Sequence, residues 1–469
     1  MTRQRHCVPP SPHVIGTLLS EYKRDWQGRG FTFLQFLDTI GYGVTSHAKE
    51  GKDDPARGRL RAGNIELLSI PQHKIDGKLH VIALMVDFSD LQGATPKDHY
   101  QDLLFSGGRY PTGSMTDYYH EVSRGKVEIT GEVHGWFRMP EKYDYYVNDH
   151  SGLDGPFGQE YYPRDARKLA EDAVEVARAN GVTFGRDLDK LGDSTITALF
   201  IIHAGRPAEK LNRYLGKKHI WSHKWVMKNP VLVSAALELW AVTYLMVPQE
   251  ATLGVCAHEL GHLAFQWQDF YDPNYDEDGD HWDGNGIWDL MAGGSYAGDE
   301  LRPVHPAVLH KLQHRWIEVE EISASKAGIE LKPVTAQDGK VLKIVSSVFS
   351  KGQYFLLEYR AMELFDAHLP EEGLLVWRVD ESAEMEGSGN PGMLLIQADG
   401  RHDLITPGDY NVGDAGDPFP GSQATRNLLD EGVISTSFPN QPKSGISIKN
   451  IQLDRANGKV RFDVEIVDH

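Results

Sequence analysis

Apolar and polar positions change texture twice along this chain. His80 to Phe88 reads HVIALMVDF, apolar almost without a break, and stops at Asp87, Ser89 and Asp90. Such a run predicts a strand buried on both faces that ends in a polar loop. Ile196 to Ile202 predicts a second one. Between them, Asp165 to Ala179 places apolar residues at Ala166, Leu169, Ala173, Val176 and Ala177, a helical stripe opening after Pro163. A further helix is predicted from near Glu250 through Ala264. Strands separated by helices indicate a mixed α/β unit.

Beyond about residue 320 the runs become short and are punctuated by turn residues: Ile329 to Val334, Lys340 to Val345, Tyr354 to Tyr359, Gly373 to Val379, Gly445 to Ile451 and Val460 to Ile466. That density predicts a β-rich, sandwich-like unit. Ahead of the first buried strand, Val14 to Trp26 has loosely helical spacing and Thr45 to Gly63 has linker character. The expected organisation is α+β, with an N-terminal lead-in at 1–75, a mixed sheet with its key helix at 76–320, and a β-rich domain at 321–469.

Charge and composition narrow the function. The 469 residues carry 48 Lys and Arg against 67 Asp and Glu, a net charge of −19, which disfavours nucleic acid and anionic membrane surfaces as partners. No apolar stretch is long enough for a membrane-spanning helix. Two cysteines, Cys7 and Cys256, exclude a disulfide scaffold or a cysteine-rich zinc ribbon, so the 21 histidines are the metal-capable residues. The apolar run at Val14 to Leu19 is too short, and too far behind Arg3 and Arg5, to read as a secretory signal.

Ala257 to Leu263, AHELGHL, carries His258, Glu259 and His262. Residues four apart share a helix face, so the two imidazoles can converge on one cation with Glu259 beside them. Zinc takes such nitrogen ligands, acidifies water at an open position, and leaves a neighbouring carboxylate to take the proton as a carbonyl is attacked. The same three residues also suit a helix whose histidines are satisfied in a polar interior. Downstream, Asp276-Glu277-Asp278-Gly279-Asp280 alternates carboxylates in the manner of a calcium loop but lacks its terminal glutamate, and Asp414 and Asp417 about Gly416 form a second candidate. Met291 follows in a glycine-bearing turn, Leu290-Met291-Ala292-Gly293-Gly294, where a hydrophobic floor beneath a zinc site could lie.

With these segments together the chain resembles the immune inhibitor A-type secreted metallopeptidases. The resemblance rests on VDFSD at 86–90, DYYHEVSRGKVEITGEV at 117–133, IWSHKW at 220–225, LGVCAHELGH at 253–262, the turn at Met291, FLLEYR at 355–360, GLLVWRVD at 373–380, QADG at 397–400 and DAGDPFPG at 414–421. It implies a metzincin-like zinc peptidase domain followed by a β-rich domain, protein or peptide substrates and export from the cell, with residues 1–75 then a prosegment or an accessory lead-in. Position by position, it implies zinc ligands at His258 and His262 and a general base at Glu259.

The third ligand is where the pattern departs. The family places a glycine at the eighth motif position and His or Asp at the eleventh, whereas Phe265 and Gln268 stand there in this chain. Without the glycine, the helix is expected to continue through Gln266 or Trp267. Asp269, one residue late in the stretch Asp269-Phe270-Tyr271-Asp272, is the better ligand chemically, with Asp272 and Gln268 as alternatives.

Several residues stay open. Tyr296, His223 and His281 are conceivable donors to an oxyanion, and either of the two buried strands could offer substrate an open edge. Cys256 reads as a small buried hydrophobe, whereas the Cys7 thiolate could cap the zinc and hold the enzyme latent. Two alternatives remain at this level: a catalytically silent relative that binds protein or glycan, and a zinc hydrolase acting on a non-peptide acyl group.

Overall fold

The computed structural model describes residues 6–31, 33–40, 74–154, 159–211, 215–271, 282–381, 392–406, 411–439 and 441–467. The expected linker Thr45 to Gly63, most of the acidic stretch with Asp272, Asp276, Asp278 and Asp280, and His281 lie outside them.

The first sheet is built from β1 (His6–Cys7), β2 (Gly77–Asp87), β3 (Val127–Arg138), β4 (Leu199–His203), β5 (His223–Ser234) and β6 (Leu239–Pro248), in the order β1-β5-β6-β4-β2-β3. Strands β3, β2, β4 and β6 are parallel, while β5 runs antiparallel to β6 and β1 antiparallel to β5. The two apolar runs behave as parallel interior strands do, buried on both faces. Neither has an open edge. The expectation of a substrate-binding edge there is therefore corrected: β5 is the strand towards the edge, and only the two residues of β1 lie beyond it.

Around this sheet stand α1 (Pro12–Asp25), α2 (Phe33–Ile40), α3 (Lys97–Phe105), α4 (Met115–Val122), α5 (Tyr143–Val147), α6 (Ala166–Ala179) and α7 (Leu253–Phe265), whereas α8 (Val308–Gln313) packs on the C-terminal strands. Asp165 starts α6 by accepting the amides of Arg167 and Lys168, and the predicted stripe turns Ala166, Leu169, Ala173 and Ala177 inward. Helix α7 is buried on all sides, so its polar side chains cannot be satisfied by bulk water. The lead-in helices join the same core through Ile15, Leu18, Leu19 and Phe36.

The C-terminal strands are β7 (Glu318–Ile322), β8 (Lys326–Leu331), β9 (Lys340–Ile344), β10 (Gln353–Arg360), β11 (Gly373–Asp380), β12 (Met393–Leu395), β13 (Ile446–Asp454) and β14 (Lys459–Ile466). They form a five-stranded sheet, β12-β11-β10-β9-β7, and a three-stranded sheet, β13-β14-β8. Phe355, Leu357 and Val376 on one face of the larger sheet pack with Ile446, Ile448 and Phe462 of the smaller. This gives the sandwich-like layer. The opposite face, with Leu356, Leu375 and Trp377, packs on Trp288, Val304 and Val308. The segment following α7 is thus gripped between the two halves, and β7 already belongs to the second sheet from Glu318.

Candidate metal centre

Helix α7 ends at Phe265 and not a turn later, correcting the expected extension. Gln266 takes the left-handed conformation at φ 56°, ψ 34°, and the amide of Trp267 bonds back to Gly261 O at 3.1 Å. Gln266 accepts there the geometry a glycine adopts without strain, at a cost of roughly 1 kcal/mol. This reversal swings Asp269 back over the helix.

His258 Nε2 and His262 Nε2 lie 3.1 Å apart, and Asp269 Oδ1 stands 3.2 and 3.0 Å from them. Together they form a buried group able to hold a metal ion. Zinc bonds of about 2.0–2.2 Å in tetrahedral directions separate neighbouring donors by roughly 3.3 Å, close to this triangle. Each imidazole is fixed from behind by a carbonyl: His258 Nδ1 at 3.0 Å from Leu290 O and His262 Nδ1 at 2.7 Å from Trp267 O. A ring whose Nδ1–H donates to a carbonyl keeps its Nε2 lone pair for a cation. Burial, offset in part by Asp269, lowers the His262 pKa and favours that neutral form.

Glu259 is fully buried, and neither carboxylate oxygen takes a well-formed hydrogen bond. Burial, then the charges of Asp269 and Glu209, push its pKa well above the usual carboxylate range, while the Val8 peptide and Lys224 pull it partly back. A buried carboxylate with no firm partner is a proton acceptor held ready.

Met291 lies under the helix as anticipated. A Cβ on Gly261 would stand 2.9 Å from Met291 Sδ and 2.8 Å from the Trp267 ring, so only glycine lets both approach. Gly261→Ala is expected to cost about 1–3 kcal/mol through overpacking, seen as a fall in the thermal midpoint.

The lead-in reaches the site. Cys7 pairs with His223 on β5, the Val8 amide donates to Ser222 O at 3.2 Å, and Trp221 Nε1 donates to Val8 O at 2.8 Å. Tyr271 Oη donates to Cys7 O at 2.6 Å, and the Tyr296 hydroxyl to Pro9 O. These contacts carried no sequence signal beyond Tyr296 having been a candidate donor. Of the other candidates, His223 is engaged with Trp221 O and Tyr244 Oη. The group gathered around the histidines is made of His258, His262 and Asp269, and Cys7 is buried beside it on β1. Cys256 is buried, its pKa pushed up to about 12 by burial, as a small hydrophobe would be.

Residues 78–320 match the family model described as immune inhibitor A peptidase M6, catalytic domain. The chain belongs to this peptidase family. Among the similar proteins, the pre-pro-metalloprotease PrtV of Vibrio cholerae serotype O1 (strain M66-2) is 27% identical over 318 residues, covering 57% of this M6 chain and 33% of its own length. The immune inhibitor A of Bacillus thuringiensis subsp. alesti is 29% identical over 290 residues, covering 52% of the M6 chain and 40% of its own. The chain thus spans about a third to two fifths of the curated relatives it matches. The M6 family is one of metallopeptidases, in line with a donor set of two imidazoles and a carboxylate.

Proposed function

We propose that this M6 chain is a zinc-dependent endopeptidase cleaving peptide bonds of protein substrates, with His258, His262 and Asp269 as zinc ligands and Glu259 as general base. One observation carries the reading. Three donor atoms converge at 3.0–3.2 Å while an adjacent buried carboxylate is left without a firm partner. Met291 beneath the zinc helix supports the metzincin-like assignment.

Zinc at this triad supplies Lewis acidity towards the scissile carbonyl and towards water. Glu259 accepts the proton of the attacking water and passes it to the departing amide nitrogen. Strand β5 offers main-chain groups with which an extended substrate can pair, as β1 pairs now. The phenols of Tyr271 and Tyr296, already on main-chain carbonyls, can hold those of a substrate.

Because residues 7–9 use these same contacts, the lead-in is read as a prosegment that fills the cleft with its backbone, residues 76–320 as the catalytic domain and 321–469 as the β-rich domain. The intact His-Glu-His set and the unengaged Glu259 weigh against a catalytically silent binding module. The test is digestion of an unfolded protein such as reduced casein. Internal cleavage is expected, stopped by a chelator and restored by zinc. Zinc-loaded protein freed of its lead-in that cuts no polypeptide sinks the reading.

A further inference from the structure

The segment FLLEYR at 355–360 ends β10 on Arg360, outside the metal-binding group. Arg360 is fully buried, and so are Glu358 and Asp366 beside it. Its guanidinium donates from Nε and Nη2 to the two oxygens of Asp366 at 2.6 and 2.5 Å, a pairing that suits a planar fork. Burial opposes the charge on Asp366, but Arg360 holds its carboxyl well below the usual range, so the pair is ionic.

The rest of the fork reaches out of the C-terminal sheet. Nη1 donates to Trp288 O at 3.0 Å and Nη2 also to His305 O at 3.4 Å, while Asp366 Oδ1 accepts the His305 amide at 2.9 Å. His305 O in turn accepts the Leu290 amide at 3.3 Å, and Leu290 O is the carbonyl that receives Nδ1–H of His258 at 3.0 Å. Asp289 ties the same two stretches a second time, accepting the amides of Met291 at 3.0 Å and Ala307 at 2.9 Å. His305 is itself held, with Nε2 at 2.8 Å from Glu121 Oε1 on α4 and Nδ1 at 2.6 Å from Lys311 Nζ. Leu290 lies between two 3₁₀ turns, Gly286–Trp288 and Gly293–Glu300, so the direction of its carbonyl depends on such ties.

We propose that Arg360 is a positioning residue of the metal centre: from the C-terminal sheet it sets the Leu290 carbonyl, and through that carbonyl the ring of His258. The inference rests on the assignment of zinc to His258, His262 and Asp269. A ring that turns with a displaced carbonyl no longer aims its Nε2 lone pair at the point shared with the other two ligands, and the ion is held less tightly. The β-rich unit is then a working part of the peptidase site and not an appended module.

The test uses the full chain, stripped by chelation and reloaded with zinc or cobalt(II). Zinc affinity is read by competition with a chromophoric chelator and ligand geometry by the visible absorption of the cobalt form, neither of which involves peptide cleavage. Arg360→Lys keeps a charge beside Asp366 and Glu358, but one ammonium does not serve the carboxylate and both carbonyls at once. It is expected to weaken zinc binding about tenfold and to shift the cobalt spectrum. Asp366→Asn is isosteric and leaves Glu358 Oε1, 3.6 Å from Arg360 Nη1, to meet the buried charge; it is expected to act in the same direction. Ile448→Ala, in the core between the two C-terminal sheets, is the control, expected to lower the thermal midpoint while affinity and spectrum stay as in wild type. A folded Arg360→Lys with wild-type affinity and spectrum overturns the inference alone, and where that variant does not fold Asp366→Asn decides in its place. An equal loss of zinc in Ile448→Ala also overturns it, because the effect is then one of general stability. A wild type that binds neither ion overturns the zinc assignment and the inference together.

Discussion

Glu259→Gln is expected to lower peptide hydrolysis by about 10³-fold while zinc content and thermal midpoint stay close to wild type. The amide fills the same buried space but cannot take a proton from water, and removing a positioned base costs typically 10²–10⁴-fold. The Val8 peptide and Lys224 favour the charged carboxylate less than burial and the neighbouring carboxylates penalise it, so a neutral amide of the same size is expected to cost the fold little. Turnover on a fluorogenic peptide, read with metal analysis on the same sample, checks this. Retention of more than a tenth of the activity would remove Glu259 from the proton-transfer role.

Deletion of residues 1–11 is expected to raise hydrolysis of a short peptide about tenfold or more. The segment holds β5 through Cys7 and Val8 and holds Tyr271 and Tyr296 through its carbonyls, so substrate binds only in the fraction of molecules from which it has left. The deletion stops short of α1, whose Ile15, Leu18 and Leu19 stay in the core, and gives up only Cys7 and Val8 of that core, so the comparison is made on protein shown to be folded by its thermal transition. Cys7→Ala is expected to change little, because the thiol stands outside the metal-binding group. Equal activity with and without the first eleven residues, in folded protein, would show that their backbone does not block the cleft.

How much of this was legible depends on where each signal resides. Strand β2 and helices α6 and α7 were plain because long apolar runs and a 3.6-residue stripe follow from burial. Strand β3, at the sheet edge with Glu128, Glu132 and Trp136 partly or fully exposed, carries a broken pattern, and the bulged hairpin of β5 and β6 hides its register. The strand on which the lead-in pairs, β5, was therefore missed. At the site, His258, Glu259 and His262 stood out because four-residue spacing is a helical property. Asp269 rested on ligand chemistry, and its arrival beside the imidazoles depends on Gln266 in a conformation its residue type does not advertise. The carbonyls of Leu290 and Trp267 that orient the rings, and the short strand at Cys7, are main-chain features for which composition and periodicity have no mark.

The claim beneath the whole account is that Asp269, with His258 and His262, grips zinc. Zinc content after dialysis against a weak chelator, measured on wild type, Asp269→Ala and Gln268→Ala, tests it most directly. The expected result is about one zinc per chain in the wild type and in Gln268→Ala, with most of it lost from Asp269→Ala. Zinc retained by Asp269→Ala and lost from Gln268→Ala would contradict the assignment, and a wild type that binds none would contradict the metal centre itself.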